Sequence, residues 1–147
     1  KDFTKKGQNL TAEIKFIDNW ERSNQLFTQN AFKPDGSIDV PETISSHFPN
    51  IINPFLKKNN LKTEDVDHLI FHPGGKKIVQ TVEGLFSDLG KNIDDTKEVL
   101  RLYGNMSSAT VLYVLERIMD AKPKKGEKGL MLSFGPGFSA QKVLLQF

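Results

Sequence analysis

The chain has 147 residues, 37% hydrophobic and 26% charged, with 20 basic and 18 acidic side chains and no cysteine. That length supports one domain with a real core, while a net charge of +2 is too small to argue for nucleic acid or a membrane surface. Without cysteine there is no disulfide and no zinc–thiolate site, which agrees with the cytoplasm, and no apolar run reaches the roughly 18 residues of a membrane span.

Residues 1–10 are polar, and no apolar stretch of the kind a signal peptide needs follows Lys1 to Lys6. The chain opens on Lys rather than Met, as a piece of a longer chain would. Ala12 to Asp18 alternates as a strand does, Leu26 and Phe27 suggest a second short strand, and Lys33-Pro34-Asp35-Gly36-Ser37 has the composition of a turn. From Pro41, a residue suited to a first helical position, the apolar residues Ile44, Phe48, Ile51, Ile52, Phe55 and Leu56 recur at steps of three and four. This spacing predicts an amphipathic helix, ended by Asn59-Asn60, with Pro49 and Pro54 expected to kink or split it.

Thr63-Glu64-Asp65 reads as a short capped turn, and Leu69-Ile70-Phe71 as a buried strand ending at His72, where Pro73-Gly74-Gly75 turns the chain. Ile78, Val79, Val82, Leu85 and Phe86 mark a helix stopped by Gly90. Asn92 or Asp94 caps the next, which carries Val99, Leu100, Leu102 and Tyr103 and stops at Gly104. Between Met106 and Met119 apolar or small residues fall on every side, which predicts a helix buried all round. After a charged connector, Ala121 to Lys128, come two closing strands, Leu130 to Phe134 and Val143 to Phe147. Phe134-Gly135-Pro136-Gly137 lies at their junction, so the two are expected to form an antiparallel hairpin. This order predicts an α/β fold, a mixed sheet of about five strands with packed helices.

Two polar residues stand where chemistry could be held. His72 ends a buried strand, the position at which open α/β sheets place ligand sites, and the glycines after it permit close backbone approach. Taken alone it reads more simply as a strand-end histidine satisfied by a backbone carbonyl. Asn105 precedes a helix, where it would serve as an N-cap; its amide keeps donors for a ligand oxygen, and the small Ser107, Ser108 and Ala109 leave room beside it. Gly135-Pro136-Gly137 alone is a hairpin turn. His47 and His68 have no ligand-like spacing with His72, so no metal site is expected.

Together, His72-Pro73-Gly74-Gly75, Gly104-Asn105-Met106-Ser107-Ser108-Ala109 and Phe134-Gly135-Pro136-Gly137, in that order, with His and Asn 33 positions apart (105 − 72), resemble the chalcone and stilbene synthase family, the type III polyketide synthases. The resemblance covers residues 40–147 and is weak over 1–39, within a single C-terminal domain spanning 1–147. It implies the C-terminal half of a thiolase-like fold and a Cys-His-Asn triad. In such a triad His72 would stabilise the thiolate and lower its pKa. His72 and Asn105 would then donate to the thioester oxygen of malonyl-CoA during decarboxylation and Claisen condensation.

By the same resemblance Gly74 and Gly75 would border a coenzyme A tunnel, Ser107 would lie near the Cys, and Phe134, Gly135, Pro136 and Gly137 would shape the cyclisation cavity. No cofactor is implied beyond coenzyme A thioesters as substrates, an acyl-CoA starter and malonyl-CoA. The implied partners are an N-terminal half of the same protein carrying the Cys and, in the full-length form, a second copy making a homodimer. The sequence departs from the family in lacking the Cys, in having Ser133 where the loop usually starts with Gly, and in having Phe32 or Pro34 near a gating Phe of many plant members. Without its nucleophile the isolated chain is expected to be inactive. A ketoacyl-carrier-protein synthase III-like enzyme, disfavoured by Pro73-Gly74-Gly75, and a non-catalytic association domain of the same fold are the alternatives.

Overall fold

The computed structural model describes residues 21–23, 40–87, 90–135 and 139–147. The strand predicted over Ala12 to Asp18, that around Leu26 and Phe27, and the turn at 33–37 lie outside these residues. The described residues contribute four strands to one sheet, where about five were expected over the whole chain. The first of them, β1 (Glu21–Ser23), falls between the two predicted segments. It pairs antiparallel with β4 (Ser139–Gln146), β4 pairs antiparallel with β3 (Lys128–Gly135), and β3 lies parallel to the edge strand β2 (His68–Phe71). The predicted closing hairpin is present, with Gly135 opposite Ser139. The sheet is therefore mixed, and the fold is α/β.

Four helices cover it: α1 (Val40–Lys58), α2 (Lys76–Ser87), α3 (Asp94–Tyr103) and α4 (Thr110–Asp120). Side chains alternate along a strand, so Leu69 and Phe71, Leu130 and Leu132, and Ala140 and Leu144 share one face, where they meet α1 and α2. Ile70, Met131, Val143 and Leu145 face the other way, onto Val99 of α3 and Val114 and Ile118 of α4. The six periodic residues of α1 are all buried. The helix runs on through Pro49 and Pro54, so the prolines do not split it. The carbonyls these prolines cannot reach belong to Ser45 and Asn50, which are exposed and open to water. Asn60, at φ 55°, ends the helix and lets the Leu61 N–H reach the Leu56 carbonyl at 2.9 Å.

Two other elements refine the sequence reading. Asn92, rather than Asp94, makes the side-chain bond at the start of α3, accepting the Asp94 N–H at 3.2 Å. α4 is not buried all round. A short 3-10 turn (Ser107–Ala109) precedes it, and Leu112 and Tyr113 are 54% and 38% exposed. The core also holds a lysine: Lys142 of β4 is 2% exposed, with Nζ 3.4 Å from the Ile51 carbonyl and 5.5 Å above the Phe55 ring.

Candidate active site

His72 stands one residue beyond β2, and its N–H continues the ladder to the Leu132 carbonyl at 2.9 Å. By alternation it shares the α3/α4 face with Ile70. Extending the register by one position sets it alongside Ser133, itself opposite Gln141. The strand then turns tightly, with the Gly74 N–H donating back to the His72 carbonyl at 2.9 Å. Gly74 has little room for a side chain, since a Cβ there would lie 3.1 Å from Ile78 Cδ1. Gly75 follows at φ +155° and accepts the Val79 N–H at 3.0 Å as α2 begins.

Asn105 arrives from the other side, between α3 and α4. Gly104, at φ 69°, breaks α3 and donates to the Leu100 carbonyl at 2.9 Å. Asn105 Oδ1 accepts the Ser107 N–H at 2.8 Å, and Nδ2 donates to the Gly74 carbonyl at 3.2 Å. Its side chain is thus both the local turn-former expected of it and a tie to the loop after His72. The amide carries a second hydrogen, open to a ligand. Thr110, fully buried, secures this turn: its hydroxyl accepts the Met106 N–H and donates to the Ser107 carbonyl, both at 2.8 Å.

Gly74 therefore joins the two candidate donors. Asn105 and Ser107 are exposed and His72 is half-buried, so the pair sits on an open rim. Burial without a charged partner lowers the His72 pKa below its usual value, favouring the neutral imidazole. Its Nδ1 is buried and makes no hydrogen bond, and the Oε1 of Gln141, in the same cross-sheet row, is in the same state. A buried polar atom left unpaired costs about 1–3 kcal/mol.

Phe134 is not brought to this rim. It shares the opposite face with Leu132 and packs edge-on against Phe71, with ring centroids 5.9 Å apart. The neighbour on the His72 face is Ser133. Gly135 ends β3, and Pro136 and Gly137 lie outside the described residues. His68 has specific partners: Nε2 is 2.8 Å from Glu127 Oε2, and its ring packs edge-on against Phe147. Among the described residues no group of three or more His, Cys, Asp or Glu could hold a metal ion, and no helix is long and apolar enough to cross a membrane.

Residues 24–147 match the family described as chalcone and stilbene synthases, C-terminal domain. The chain belongs to that family. A Bacillus subtilis (strain 168) protein bearing the name chalcone synthase is 32% identical over 122 residues, which are 82% of this chain and 33% of that protein. Polyketide synthase 37 of Dictyostelium discoideum is 31% identical over 115 residues, 74% of this chain and 4% of that much longer protein. Among solved structures, PKS-I from the brown alga Ectocarpus siliculosus superposes with a TM-score of 0.69 at 28% identity, covering 87% of this chain and 38% of that one. The chain thus spans about a third of the length of the Bacillus relative and of the algal synthase. Its fold is that of the C-terminal part of a type III polyketide synthase.

Sequence reasoning missed Thr96 and Thr110. Both are fully buried polar residues, and Thr110 is in register with Val114 and Ile118, four and eight positions on. That spacing was the available signal, as was the three-residue step from Thr96 to Val99.

Proposed function

We propose that this domain supplies His72 and Asn105 as the hydrogen-bond donors for decarboxylation of malonyl-CoA and condensation of the resulting enolate with an acyl-cysteine. The observation that carries this reading is the Asn105 amide on the Gly74 carbonyl. It draws a strand-end histidine and a side-chain amide, 33 positions apart, onto one rim. As carbon dioxide leaves, negative charge grows on the thioester oxygen, and donors aimed at it act mainly in the transition state. A neutral His72 keeps one N–H to donate. A cysteine thiolate beside it would raise its pKa again and share a proton with it.

The nucleophile belongs, in this reading, to the remainder of the synthase. Support comes from an apolar surface next to Asn105, formed by Leu102, Tyr103, Leu112 and Tyr113 and left 38–54% exposed, with the two tyrosine rings 5.2 Å apart. A free surface of this kind marks a contact, and α4 has the all-round apolar pattern of a helix covered on both sides. Substrates are an acyl-CoA starter and malonyl-CoA, no cofactor is used, and the full-length protein works in the cytoplasm as a homodimer.

The 147-residue chain, given both thioesters, is expected to make no polyketide, and turnover at an ordinary synthase rate would overturn the proposal. In the full-length protein His72→Ala and Asn105→Ala should each lower product formation by about 100-fold or more.

A further inference from the structure

The peptide between Phe71 and His72 is held from both sides. Its N–H, on His72, bonds to Leu132 in β3. A trans peptide points its carbonyl opposite to its N–H, so the Phe71 carbonyl projects away from β3, on the side where β2 has no strand neighbour among the described residues. There it meets Thr96 of α3, whose hydroxyl donates to it at 3.0 Å. Thr96 is 0% exposed. Thr96 is the third residue of α3, and the residue four back, Asn92, precedes the helix. Thr96 bonds across 25 positions to the one carbonyl adjoining His72.

We propose that Thr96 is a positioning residue of the condensation. By fixing the Phe71–His72 peptide plane, it sets the height and direction of the imidazole against Asn105. The inference rests on the reading of His72 as a donor. Its physical basis is that reacting groups displaced by about 1 Å can lose about 100-fold in rate. Without the hydroxyl, the buried Phe71 carbonyl has no partner and the plane is held on one side only.

The test uses the full-length protein with Thr96→Val, which keeps the shape and removes the hydroxyl, and Thr96→Ser, which restores it. Thr96→Val should lower kcat for polyketide formation by about 10- to 100-fold, with KM for malonyl-CoA nearly unchanged, and should move the His72 ring titration seen by NMR. Thr96→Ser should return both to within a few-fold of the parent. If Thr96→Val lowers only the unfolding temperature while kcat and the His72 titration stay unchanged, and His72→Ala abolishes activity, the positioning role is wrong and the donor reading stands. If His72→Ala keeps normal turnover, both fall together.

Discussion

His72 carries an electrostatic signature that can be read in stability. Its folded pKa lies below the ordinary 6.5 because burial disfavours the imidazolium. Between that lowered value and 6.5 the unfolded chain binds more protons than the folded one, so acid favours unfolding. Stability from this group is fully present above 6.5, falls as pH drops through the window below it, and levels off once both states are protonated. Urea unfolding at pH 7 and pH 5 should show a larger loss for the parent chain than for His72→Gln, and equal losses in the two proteins would refute the assignment. Both candidate donors drew attention in the sequence because each stands beside a glycine-marked break in an apolar element. Thr96 did not: no local pattern links it to a residue 25 positions away, and only the fold shows that its hydroxyl goes to Phe71.

The helices show where periodicity informs and where local propensity misleads. In α1 the step-three-and-four pattern identified the buried residues Ile44, Phe48, Ile51, Ile52, Phe55 and Leu56, because core burial dominates a helix docked on a sheet. The prolines suggested a break. None occurs, since their rings and the carbonyls of Ser45 and Asn50 face water. A helix-interior proline still carries a cost of about 3 kcal/mol, offset by up to about 1 kcal/mol of reduced freedom in the unfolded chain. Pro54→Ala, which touches no core contact, should therefore stabilise the domain by about 2–3 kcal/mol. Thermal unfolding decides this, and an unchanged or lower midpoint would count against it. In α4 the pattern overstated burial. Apolar residues fall on all sides, but in this chain Leu112 and Tyr113 are exposed, the side assigned under the proposed function to a contact with the rest of the synthase.

At the scale of the molecule, the α/β class and the closing hairpin followed from the order of elements. The sheet order did not, because parallel pairing of β2 with β3 is a long-range choice that no local signal encodes. That pairing has a consequence in time. The β3–β4 hairpin closes between Gly135 and Ser139, four positions apart, whereas Leu69 must find Leu130 across 61 positions (130 − 69). Loop closure over such a span is entropically later than a hairpin. Refolding followed by pulsed hydrogen exchange should protect the β3 and β4 amides before the His72 amide that bonds to Leu132, and simultaneous protection would rule this order out. A chain interrupted early would hold its hairpin while His72 still lay on an undocked strand, so the rim proposed to unite the two donors would form only after the hairpin.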